Sequence, residues 1–395
     1  MISSPPRIAI VGAGPGGLTL ARILHQAGMS ATLFERESDA LARPQGGTLD
    51  LHEEGGLLAI RHAKLVNEFA RIARPEDQGN RLYNQQGQLL FEELDAENGQ
   101  RPEVDRSALR AMLLDSIPAD WVQWRQAVSG AQELGDGRWQ LLLNDGQSSA
   151  GPFDLVVGAD GAWSRLRPLL SHYQPQYSGL TLIEFGIDDV DTRHPAVAEL
   201  VGRGKMLTQG EGRALIAQRN GHAHVRCYAV FRVPADWVQR RFDLSSPASV
   251  QAQLLNEFAG FAPRLTELLR VSNGSFESRP IYALPVGHRW PNRRGLTLIG
   301  DAAHLMSPFG GEGVNAAMRD AAELGLQLTS HDDYCQSVAD AEALMFERVI
   351  EAATGSADAA AEQLSHDAEA LALEHLMQHS THHANHANRP EIHPT

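Results

Sequence analysis

This sequence predicts an α/β fold: a Rossmann-like parallel-sheet domain, an inserted antiparallel-sheet domain and a C-terminal bridging helix. Three observations predict it. The β-branched run Ile8–Val11 passes directly into Gly12-x-Gly14-x-x-Gly17 and then into a helix-period segment. From Tyr177 to about Phe276 apolar and polar residues alternate between Gly and Asn turns, as in a sheet with one solvated face. Asp332–Gln378 is rich in Ala, Glu and Leu and reads as helix, broken at Gly355. On this reading 1–75, 100–175 and 277–330 form the nucleotide-binding domain, and 76–99 with 176–276 the substrate domain. Residues 331–378 form the helical bridge, and 379–395 a polar, His-rich, disordered tail.

Each element has a local reason. Gly12 allows a tight turn, Gly14 lets the backbone approach a pyrophosphate, and Gly17 lets helix and strand pack closely. Leu18, Ala21, Leu24 and Ala27 give the helix its apolar face, and Gly28 stops it. A second strand ends at Glu35, placed to accept hydrogen bonds from an adenosine ribose. After Arg36, the stretch Arg43 to His52 reads as a loop whose paired glycines admit something flat or charged. A helix is expected over 55–73, a hairpin over 81–92 and a helix over 107–117. Strands follow at 122–124, 127–134 and 139–143. A buried strand, 153–159, ends in Asp160-Gly161. The inserted domain is expected to hold strands at 180–187, 205–208, 214–218 and 224–233, then one helical stretch, 247–269. The strand 295–299 ends in Gly300-Asp301, and a helix spans 314–328.

Composition sets bounds. The net charge of −15 argues against nucleic acid or an anionic membrane as the main partner. Two cysteines, Cys227 and Cys335, suggest neither a disulfide framework nor a thiolate metal cluster. Met1–Pro6 is too short and polar for a signal peptide, and no apolar run is long enough to span a bilayer. A cytoplasmic monomer or weak oligomer is the expectation. The histidines of the tail read as solvated rather than as metal ligands, and His304 as a structural histidine at a strand–helix junction.

The weight lies in co-occurrence. Asp160 and Asp301 both stand at carboxyl ends of buried strands, where open α/β sheets bind ligands. Pro308 and the glycines at 310, 311 and 313 prepare a helix start that favours negative charge by about 0.3–1 kcal/mol. A reduced flavin, anionic at its pyrimidine side, gains from such a helix start, and a nicotinamide does not.

Gly12–Gly17, Asp160-Gly161-x-x-Ser164-x-x-Arg167 and Gly300-Asp301-Ala302-Ala303-His304 through Gly311-x-Gly313 resemble three motifs of one family. These are the class A flavoprotein monooxygenases of the para-hydroxybenzoate hydroxylase kind. Within them the chain is most similar to the tetracycline-inactivating monooxygenases, through Gly46–His52, Arg106-x-x-Leu109-Arg110 and Gly300–Met306. The resemblance covers Arg7 to about Met345 and weakens in the middle. It implies FAD contacts at Glu35, Arg36, Asp50, Arg106 and Asp301, beside the turn residues Gly12, Gly14, Gly17, Asp160 and Gly313. It also implies a role for Arg43 where NADPH, or NADH, enters. The family's tetracycline-contacting positions align with Glu184, Lys205 and Arg226, so the polar lining of that surface has changed.

The implied reaction is hydride transfer from NADPH to FAD, reaction with O₂, and delivery of one oxygen atom from a flavin C4a-hydroperoxide. Its acceptor would be an aromatic or polycyclic phenol or enol, tetracycline among the candidates. No side-chain nucleophile is required, and no catalytic acid or base is assigned. A flavin-dependent dehydrogenase or reductase, and a non-catalytic flavin-binding protein, stand as the alternatives.

Overall fold

A computed structural model describes residues 5–42, 46–93, 101–144 and 152–387, with side chains to 377. The chain divides into two compact units. The first comprises 1–74, 100–178 and 282–359, and the second 75–99, 179–281 and 360–395.

The first unit is built on a five-stranded sheet. Its strands lie in the spatial order Leu296–Leu298, Leu155–Gly158, Ile8–Val11, Ala31–Phe34, with Val122–Gln123 at the far edge. All the pairings are parallel. The four residues of Ile8–Val11 are all buried, as expected for a strand covered on both faces. Helix Pro15–Gln26 follows the glycine turn with Pro15 in its first turn, where a missing N–H costs nothing. Helix Gly313–Ser330 packs against it, close enough that Gly325 lies beside Ile23 and Leu20.

Two of the three fingerprint glycines are fixed by contact. A Cβ on Gly12 would lie 2.3 Å from the Ala159 carbonyl oxygen, and one on Gly17 would lie 2.2 Å from the Gly12 oxygen. A Cβ on Gly14 would meet nothing within 4 Å. Gly12 and Gly17 are therefore packing requirements, whereas Gly14 faces open space at a helix start.

The second unit is a seven-stranded sheet, ordered Glu277–Ala283, Gln176–Ile187, Val225–Arg232, Arg213–Arg219, Lys205–Gly210, Asn80–Tyr83, Leu89–Glu93. The hairpin expected over 81–92 is its outer edge, and its first strand pairs in parallel with Lys205–Gly210. One face buries Ile183, Phe185, Ile187, Met206, Ala217 and Cys227 against short helices. Burial pushes the Cys227 thiol pKa up, so that side chain is an inert core residue.

The structure corrects the expected elements at several points. The stretch 55–73 is two helices, Gly56–His62 and Val66–Ala70, because Lys64 takes a left-handed φ of 52° between them. The stretch 247–269 is also two, Pro247–Glu257 and Pro263–Arg270, since Pro263 restarts the helix in its first turn. The loop after Arg43 contains a short strand, Thr48–Asp50, paired antiparallel with Glu103–Asp105. Helix Tyr334–Glu362 runs straight through Gly355. The break comes later, at Leu364 (φ 65°), where Arg232 donates to the carbonyls of Ala360, Ala361 and Gln363. The helix Ala368–Ala387 then runs beyond residue 379, where disorder was expected to begin.

These contacts make Gly17→Ala a stability test. The new methyl group meets a backbone atom that cannot rotate away, so a loss of about 1–3 kcal/mol is expected in thermal unfolding.

Candidate functional site

The site is assembled at the carboxyl ends of four adjacent strands of the first unit. Ile8–Val11 delivers Gly12–Gly17, and Ala31–Phe34 delivers Glu35. Leu155–Gly158 delivers Asp160, and Leu296–Leu298 delivers Gly300 and Asp301. Strands running in parallel bring all these turns to one edge, the usual place for ligands in open α/β sheets.

Glu35 is buried and already organises the turn. Its Oε2 accepts from the Ala13 N–H at 2.8 Å and its Oε1 from the Glu37 N–H at 3.0 Å. Each carboxylate oxygen keeps a second lone pair for a hydroxyl. Arg36, the next residue, is exposed. Arg43 lies outside the described residues.

Asp160 accepts from the Arg165 N–H through Oδ2 at 2.7 Å, while Oδ1 is buried with no hydrogen-bond partner. Burial pushes its pKa up against the opposing pull of Ser164, the Arg165 N–H and Arg167. Asp301 is raised for the same reason, with His304, Arg106 and Arg167 opposing. It heads the short helix Asp301–His304, and a Cβ on Gly313 would lie 3.8 Å from its Oδ1. Arg106 is exposed at the first position of helix Arg106–Asp115, and its side chain runs beneath Gly46.

Three buried side chains that the sequence reading left without a role hold these turns in place. Arg167 donates to the carbonyls of Asp301 and Ala302 at 3.3 Å, and also to Ala162, joining the two aspartate turns. Arg110 donates to Ala13 at 3.1 Å and Ala40 at 3.0 Å, and pairs with Glu37. Asn315 accepts from the His52 and Gly56 amides at 2.8 and 2.9 Å, and donates to the Asp50 carbonyl at 3.0 Å. It also explains Gly55, where a Cβ would sit 2.7 Å from that of Asn315. Arg167 left a sequence signal as the last residue of the Asp160-Gly161-x-x-Ser164-x-x-Arg167 motif, and Arg110 left one as an arginine on the inner face of an amphipathic helix beside Leu109 and Leu113.

His304, expected to be structural, is buried at the strand–helix junction. Its Nε2 meets Asp320 Oδ2 at 2.5 Å, and Asp320 also receives Arg348 at 2.6 Å and the Gly300 N–H at 2.8 Å. Burial works against the Asp320 charge, but His304 and Arg348 outweigh it and hold the carboxyl below its usual range. Its stabilising share is thus present above the ordinary aspartate pKa and is lost as pH falls through the lowered value.

In the second unit the register places Lys205, Gln218 and Arg226 in one cross-strand row, with Glu184 two residues from Gly186 at its end. The three expected substrate residues therefore share the sheet face opposite the apolar core. Glu184 accepts from both Arg226 and Arg279, the latter at 3.0 Å. Leu207, Ile216 and Tyr228 lie half-buried on the same face.

A family model described as FAD binding domain matches residues 6–332. The chain is 31% identical over 422 residues to monooxygenase asqM of Emericella nidulans, covering 94% of each. Among solved structures, Klebsiella pneumoniae HpxO complexed with FAD and uric acid superposes with a TM-score of 0.77 at 22% identity, over 95% of this chain and 92% of that one. Tetracycline destructase Tet(51) superposes with a TM-score of 0.69 at 19% identity, over 95% of each. No described helix is long and apolar enough to cross a membrane.

Asn315→Ala leaves two buried amides and a carbonyl without their partner. A destabilisation of about 2–4 kcal/mol is expected, read by denaturant unfolding.

Proposed function

The chain belongs to the FAD binding domain family and is an FAD-dependent monooxygenase; from that premise we propose that it hydroxylates an aromatic or polycyclic phenol or enol at the expense of NADPH. The observation that carries the cofactor's placement is the contrast between the fingerprint glycines, the middle one alone facing open space at a helix start. The orphaned Oδ1 of Asp160 beside that turn, and the carboxylates of Glu35 and Asp301, supply the polar partners a flavin dinucleotide needs. Bound FAD would supply the hydride acceptor for a nicotinamide and the activation of O₂.

The residues divide the work. The N–H groups at the start of Pro15–Gln26 take the pyrophosphate. Glu35 takes the adenosine ribose, with Arg36 beside it. Asp301 takes ribityl hydroxyls, and Asp160, Asp50, Arg106 and Gly313 complete the cradle. Arg43 is assigned to the entering NADPH. Arg167, Arg110 and Asn315 fix where these groups stand, which is the protein's main contribution when the cofactor carries the chemistry.

The half-buried polar face of the second unit's sheet suits the substrate. Leu207, Ile216 and Tyr228 offer a flat apolar surface, and Lys205 and Arg226 offer cations for an ionised phenol or enol. Uric acid in the HpxO complex is a conjugated heterocycle of that general kind. Tetracycline is one candidate, favoured by the motif resemblance through Gly46–His52 and Gly300–Met306 and by the fold shared with Tet(51).

Phenols, conjugated heterocycles and tetracyclines screened side by side should include one that stimulates NADPH oxidation and incorporates one labelled atom from O₂. Oxidation of a substrate with no label in the product would make the chain a dehydrogenase instead. Gly14→Val should fold normally yet purify without bound flavin, since its side chain fills the open space at the helix start. Arg226→Gln should raise KM for an acidic substrate about tenfold with little change in kcat.

A further inference from the structure

His52 is not used by the function proposed above. It follows the strand Thr48–Asp50, and its side chain is only 12% exposed. Both ring nitrogens face carboxylates: Nε2 is 3.0 Å from Asp50 Oδ2, and Nδ1 is 3.3 Å from Glu312 Oε1. A neutral imidazole has one donor and one acceptor, so one of its nitrogens would be set against a carboxylate lone pair. Only the imidazolium satisfies both contacts. Glu312 is the residue from which helix Gly313–Ser330 starts, and Asn315 in its first turn accepts the His52 N–H. Two carboxylates and one imidazolium leave a single net negative charge at this helix start, where loss of the proton would leave two.

We propose that His52 is a positioning residue for the cofactor, a cation that ties Asp50 to Glu312 and so holds the first turn of helix Gly313–Ser330, its charge half-balanced, at the end of strand Thr48–Asp50. The inference rests on the reading that Asp50 and this helix start face FAD. A second uncompensated carboxylate there opposes a ligand that bears phosphates and becomes anionic on reduction. The titratable groups facing the ring are Asp50 from its own segment and Glu312 from the helix. Burial works against the charge, but the hydrogen bonds to these two carboxylates outweigh it and push the pKa up to about 9. The contribution is therefore complete below the ordinary histidine value and is lost as pH rises through about 9.

The test is the dissociation constant for FAD, read from flavin fluorescence with the full-length chain between pH 6 and pH 10. Wild-type affinity should fall about tenfold across the upper part of that range. His52→Gln should bind about tenfold more weakly at pH 7 and show no comparable further fall. Glu312→Gln, which leaves the imidazole in place with one partner, should move the fall to lower pH. A His52→Gln chain that matches wild type throughout, or a Glu312→Gln profile that does not move, overturns the proposal. NMR titration of the wild-type imidazole gives a check free of any variant, and a midpoint near 6.5 overturns it too. Gly14→Val is run alongside: if that variant binds FAD like wild type, the placement of the cofactor itself falls.

Discussion

The contact between Gly17 and the Gly12 carbonyl is the constraint on which the first unit depends. At that separation no side-chain atom fits, so the strand can turn into the helix within a few residues. The N–H groups of the helix start then stand at the sheet's carboxyl edge rather than beyond a longer loop. The same approach brings Ala159 against Gly12 and thereby fixes the next strand's aspartate turn. A packing requirement at two glycines thus fixes the first helix start and the Asp160 turn relative to each other.

Around that contact, charged and amide side chains serve as internal fasteners. Arg167, Arg110 and Asn315 spend their hydrogen bonds on main-chain atoms of other turns. Loops that must be open to a ligand have few apolar contacts of their own, so their order comes from such long polar reaches. A fork of guanidinium donors serves two carbonyls at once, which an ammonium cannot do in the same geometry.

The parts of the site visible in the sequence are those whose meaning is local. Gly12 to Gly17, Glu35, Asp160 and Asp301 sit at strand ends, and strand, turn and helix are all signalled within a few residues of each. Asn315 could not be read that way, because its partners His52 and Asp50 are 263 and 265 residues distant. Arg167 reaches across 134 residues to Asp301 for the same reason. Apolar periodicity also missed the helix break at Lys64, since a single left-handed residue leaves the pattern of buried positions nearly unchanged. Pro263, by contrast, was a legible signal for the other split.

On the polar face of the second unit, one carboxylate serves two guanidinium groups, with Glu184 between Arg226 and Arg279 and Lys205 further along the same row. A single substitution that neutralised Glu184 would leave Arg226 and Arg279 without their shared carboxylate and make an already basic surface more so. Strand register and core would stay untouched, because the opposite face carries the packing. Exchange of that one acid would therefore change the charge of this face at little cost to the scaffold.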